Sequence, residues 1–158
     1  IGIFKKYKNN IKEGNHILLV NPSNSGNLGT IIRTSIGFGI NNLAIIKPAV
    51  DIYDPKTIRA TMGALFHINF EYFNTFEEYY NKYLNNNLYC FMLKGKDYLS
   101  NTKFIEPFTL TFGNEATGLS DDYLNFNSVL IKQTQKIDSF NLPIALSIAC
   151  YEATKDKL

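Results

Sequence analysis

Apolar and polar positions follow two rhythms along this chain. Short apolar runs at 16–21, 42–47, 68–73, 88–93, 108–112 and 129–131 read as buried strands. Stretches with apolar residues three and four apart, at 26–39, 54–65, 75–84 and 141–154, read as helices, and 121–125 as a short one. In 26–39 the apolar positions are Leu28, Ile31, Ile32, Ile36 and Phe38, with Gly39 as the stop. Pro55 after Asp54 fits a first helical turn, and Asp121 and Asp122 fit another helix start. Residues 94–106 and 132–138 read as loops. Strands alternating with helices predict an α/β fold, a mostly parallel sheet with helices on both faces.

Length and composition narrow this to one domain over residues 1–158, in which 1–14 is a basic arm or short helix. Apolar residues make up 45% and charged residues 19%, enough for a core. A net charge of +2 permits a nucleic-acid partner without requiring one. Lysines outnumber arginines so heavily that the two arginines, Arg33 and Arg59, stand out. Cys90 and Cys150 sit among apolar neighbours, as reduced thiols of a cytoplasmic protein do. His16 and His67 are isolated and read as structural, and no Cys/His spacing suits a metal. No apolar run is long enough to span a membrane. The chain begins at Ile1 and not at methionine, which leaves open that it is part of a longer protein.

Three clusters carry candidate chemistry. The first is Asn24, Asn27, Gly29, Arg33 and Thr34, at the start of a helix whose free amides attract anions. It is neither a P-loop nor a dinucleotide fingerprint. The second is the loop from Gly113 through Asn114 and Glu115 to Gly118, directly after a strand, where open α/β sheets place ligands. The third runs from Ile131 to Ser139, Phe140 and Asn141, just before the closing helix. Each alone also suits an ordinary capped helix or turn.

In order and together, the three resemble the motifs of the SPOUT superfamily of RNA methyltransferases, in its SpoU/TrmH branch. Asn24-x-x-Asn27-x-Gly29-x-x-x-Arg33-Thr34 matches the first motif, Gly113-x-Glu115-x-x-Gly118 the second, and Ile131 with Ser139-Phe140-Asn141 the third. Residues 55–66 look like the segment that follows the second strand in that branch. Lys132 and Phe140 depart from the usual proline and leucine.

The resemblance implies a C-terminal deep trefoil knot whose loops hold S-adenosylmethionine. It implies cofactor contacts from Leu110, Thr111, Gly113, Asn114, Gly118, Ile131 and Phe140. Methyl transfer to a ribose 2′-hydroxyl of tRNA or rRNA would centre on Arg33, with Asn27, Glu115, Ser139 and Asn141 shaping the site and orienting the substrate. Arginine is an unusual base, so whether Arg33 takes a proton or only positions the substrate stays open. A homodimer is expected, paired through the knot and the closing helix with Leu142, Leu146, Ala149 and Tyr151. The auxiliary RNA-binding domain of many relatives is expected to be absent, which leaves RNA contacts to Lys5, Lys6, Lys8, Arg59, Lys94 and Lys96. No metal and no membrane partner is expected. The alternatives are a knotted enzyme that methylates a base, a non-catalytic RNA-binding module of the same fold, and a flavodoxin-type nucleotide-binding domain.

Overall fold

The computed structural model describes Lys6 and residues 9–157. In chain order they form β1 (His16–Val20), α1 (Ser25–Gly37), β2 (Asn42–Ile46), α2 (Pro55–Thr61), β3 (Asn69–Phe73), α3 (Phe76–Lys82), β4 (Asn87–Phe91), β5 (Asp97–Tyr98), β6 (Phe108–Phe112), β7 (Asn127–Leu130) and α4 (Leu142–Thr154). Three 3-10 segments intervene, at Ala64–His67, Leu99–Asn101 and Asp121–Asn125. The strands form a seven-stranded sheet in the order β3-β2-β1-β6-β4-β7-β5, with every pairing parallel.

Alternate residues of the central strands serve opposite faces. Ile17 and Leu19 of β1 join Ile31 and Ile32 of α1 and Leu146 of α4 in the larger core. Leu18 points the other way, into a second cluster with Phe73 and Tyr79. Helices therefore cover both faces, as the pattern predicts. The helix starts follow from local chemistry. Asn24 caps α1 by accepting from the Asn27 N–H, Asp54 caps α2 ahead of Pro55, and Thr75 caps α3. Cys90 and Cys150 are buried and unpaired, and burial pushes both thiols up to about 12.

The expected boundaries need correction in four places. The helix expected over 54–65 ends at Thr61, because Met62 and Gly63 take positive φ (50° and 89°) and turn the chain into a 3-10 segment. The expected loop 94–106 contains β5, too short at Asp97–Tyr98 to show a period. The strand expected over 88–93 stops at Phe91, so Met92 and Leu93 leave the sheet. The last strand is Asn127–Leu130, which puts Ile131 just past its end.

Candidate active site

Because the strands are parallel, their C-terminal ends share one edge of the sheet. There the chain leaving β4, β6 and β7 closes around a cavity of about 370 Å³, a size suited to a small molecule. Its walls come from residues 91–94, 112–119 and 129–131, and from Ser139, Phe140, Leu142 and Ala145 nearer the last helix. Phe91 and Phe112, both in the lining, stack with ring centroids 4.6 Å apart.

The loop after β6 is tightly specified. Gly113 has no room for a side chain, since a Cβ would stand 2.1 Å from the Gly118 carbonyl carbon. Gly118 itself takes φ +67°, a left-handed conformation that glycine adopts without steric cost. Between them, the Asn114 carboxamide oxygen accepts from the N–H groups of Ala116 (2.9 Å) and Thr117 (3.2 Å). Its amide nitrogen donates to the Asn21 carbonyl at 2.8 Å.

Glu115 ties this loop to the start of α1. One carboxylate oxygen accepts from the Ser23 N–H (3.0 Å) and hydroxyl (2.8 Å). The other accepts from the Asn24 N–H (3.1 Å) and the Asn27 amide (3.4 Å). Burial by itself would raise this carboxyl, but the Ser23, Glu115 and Asn24 donors outweigh it and hold the group below the ordinary range. An anion at a helix N-terminus is also favoured by the helix dipole.

The model of the SpoU rRNA methylase family matches residues 14–151. The chain belongs to that family. A candidate tRNA (cytidine(34)-2′-O)-methyltransferase from Listeria innocua is 29% identical over 150 residues, covering 90% of this chain and 88% of that protein. The SpoU methyltransferase AviRb from Streptomyces viridochromogenes, in complex with AdoMet, superposes with a TM-score of 0.86 at 26% identity. That match covers 95% of this chain and 60% of AviRb. AdoMet-bound rRNA methyltransferase from Sinorhizobium meliloti gives a TM-score of 0.83 at 31% identity, covering 94% of this chain and 59% of that one. This SpoU chain therefore spans about six tenths of those two structural neighbours.

Gly113, Asn114, Glu115, Gly118, Ile131, Ser139 and Phe140 all meet at the cavity of the SpoU domain. Leu110 and Thr111 do not line it: both are fully buried within β6, and the lining begins at Phe112. Asn141 caps α4 outside the lining and makes no side-chain capping bond. Asn27 is half-buried at the Glu115 clamp. Arg33 is exposed on α1, does not line its own chain's cavity, and makes no hydrogen bond or ion pair among the described residues.

Among the expected RNA-binding cations, Lys5 and Lys8 lie outside the described residues. Lys6 approaches Asp51 at 3.8 Å. Lys94 pairs with Asp121 at 3.2 Å, and the Lys96 ammonium donates to the Leu124 carbonyl at 2.9 Å. Arg59 is exposed in the last turn of α2.

Reading the sequence missed Ser23, the chief partner of Glu115, and the wall formed by Met92, Leu93 and Gln133. Ser23 left one signal, since it directly precedes the first motif. The wall residues left none. Among the described residues no group of three or more His, Cys, Asp or Glu gathers as a metal site would require, and no helix is long and apolar enough to cross a membrane.

Proposed function

We propose that this chain transfers the methyl group of S-adenosylmethionine to a ribose 2′-hydroxyl of tRNA or rRNA. The observation that carries the reading is the convergence of the Gly113–Gly118 loop and the Ser139–Phe140 segment on one cavity, in a chain of the SpoU family. The cavity fits the cofactor chemically. Its floor is aromatic, Gly113 lets the loop beside it close tightly on Gly118, and its volume suits a nucleoside. Gly113, Asn114, Gly118, Ile131 and Phe140 hold the adenosine. The knot expected of this family is supported by the way residues 112–119 and, from the next stretch, 129–131 with Ser139 and Phe140 wall the same cavity.

When bound, the sulfonium supplies an activated methyl, so the protein's task is to align the hydroxyl. Glu115 fixes the loop. Ser139 in the cavity lining and Asn141 two residues on orient the substrate. Arg33 offers a planar cation to phosphate and ribose oxygens.

Arg33 reaches a cavity in a homodimer, where each subunit's arginine serves its partner's site. The surface for this pairing keeps Tyr151 from the expected set and differs in the rest. Leu146 and Ala149 are spent in the chain's own core, while Ile144, Ile148 and Tyr151 form an exposed stripe on α4 at helical spacing. The unpaired, buried thiols suit a reducing cytoplasm.

The test is single-turnover transfer of labelled methyl groups to bulk tRNA and rRNA, wild type against Arg33→Lys. A fall on the order of a hundredfold with cofactor affinity intact is expected, because lysine lacks the fork that fixes the geometry. Equal rates would remove Arg33 from the mechanism.

A further inference from the structure

The turn after α2 carries an oddity that the cofactor site does not explain. Met62 adopts φ 50°, in the left-handed region that costs a non-glycine residue strain, and Gly63 follows at 89°. Met62 caps α2 there, where a glycine would be unstrained, and its side chain stays 73% exposed. The turn also lifts Phe66 outward. At 83% exposed it is the most exposed large apolar side chain among the described residues, although Ala64 and Leu65 beside it pack on the core. A strained turn that holds two large apolar side chains in solvent is arranged for a partner.

Charge indicates which partner. The only arginines of the chain, Arg33 and Arg59, are both exposed, on the two helices that pack beside this turn. Gly29 lets α2 press onto α1, since its Cβ would meet Ala60 Cβ at 2.5 Å. Arg33 lies four residues further along the same face of α1, beside which the Ala64–His67 segment packs. Arg59 is in the last turn of α2, immediately before Met62. Guanidinium groups around an exposed ring suit single-stranded nucleic acid, with cations on phosphates and a base on the ring.

We infer that Phe66, backed by Met62 and flanked by Arg59 and Arg33, is a stacking platform for an unpaired RNA base next to the nucleotide being modified. The inference rests on the RNA-methyltransferase reading and adds the substrate class at this surface: unpaired loop RNA, not continuous duplex. Stacking is tolerant of base identity, so the platform selects for an unstacked strand more than for sequence.

The chain has no tryptophan, which makes Phe66→Trp a single-tryptophan reporter at the site, excited selectively over the tyrosines. Titration with unfractionated tRNA should quench its emission, and a fully paired RNA duplex should not. Phe66→Ala should weaken tRNA binding about tenfold while Phe66→Tyr keeps it, with S-adenosylmethionine affinity unchanged in both. Binding of tRNA without quenching, or equal quenching by duplex, would overturn the platform and leave the methyltransferase reading standing. Failure of the wild type to bind tRNA or rRNA would overturn both. A blue shift that grows with protein concentration in the absence of RNA would assign the surface to a second copy of the chain and overturn the inference.

Discussion

The two ends of the sheet are built from similar residues for opposite ends. At the N-terminal ends of the strands, His16 of β1 stands beside Thr109 of β6 in the register, and both are fully buried. His16 Nε2 donates to the Lys12 carbonyl at 2.6 Å. Its Nδ1 therefore accepts from the Tyr79 hydroxyl at 2.9 Å. Tyr79 in turn accepts from Thr109 at 2.7 Å, and Thr109 from the Asn86 amide at 3.0 Å. Each donor there finds an acceptor within the protein, and the run of bonds ties β1, α3 and β6 together. At the C-terminal ends Asn114 and Glu115 also bond inward, but they tie the Gly113–Gly118 loop to the start of α1, and that loop walls the cavity. Polar residues at one end bond to one another across the sheet, and at the other they shape the loop that lines the cavity.

The largest expected effect tests whether the cavity depends on the close packing of that loop. Gly113→Val should lower S-adenosylmethionine affinity on the order of a hundredfold, because the added carbons fit only if the Gly118 backbone is displaced. The same overpacking should lower the melting temperature. Calorimetry with a thermal melt checks both, and an unchanged affinity would place the cofactor elsewhere.

At the N-terminal end, Thr109→Val should leave Tyr79 and Asn86 short of a partner and cost about 1–3 kcal/mol of stability. Cofactor affinity should not change. Denaturant unfolding with parallel calorimetry separates this result from the Gly113 one.

Glu115→Gln should cost less, about 1 kcal/mol, since the clamp is partly solvated and glutamine keeps one acceptor. The depressed carboxyl sets a pH window for wild type. Its contribution is complete above the unfolded value of 4.5 and is lost as pH falls through the lower folded value. Acid unfolding of the variant should lack that component.

The smallest effect is the most gradual. Burial, opposed by the Lys12 carbonyl and by Glu13 and Glu71, lowers the His16 imidazole from 6.5. The unfolded chain therefore takes up a proton first, and stability should decline as pH falls below 6.5. A flat stability profile from pH 7 to 5 would contradict a neutral His16.

What was legible in the sequence follows the same division. The central strands and α1 were readable because apolar runs and helical spacing are long enough to show a period, and caps such as Asn24 and Asp54 announce themselves. The site was legible where chemistry is concentrated in glycines and one carboxylate. Two things were not. β5 is too short to carry a pattern. The wall from Met92 to Lys94 depends on where β4 stops pairing with its neighbours, which a continuous apolar run does not record. His16 read as structural, yet its bond to Tyr79 of α3 and its place beside Thr109, 93 residues on, are set only by the tertiary fold.

The measurement that bears most directly on the account is the position of the transferred methyl group. Bulk tRNA and rRNA incubated with the protein and labelled S-adenosylmethionine would be digested to nucleosides and resolved by mass. The account predicts label in 2′-O-methylated nucleosides, at a rate that Arg33→Lys sharply lowers. Label on base nitrogens, or none above a protein-free control, would contradict it.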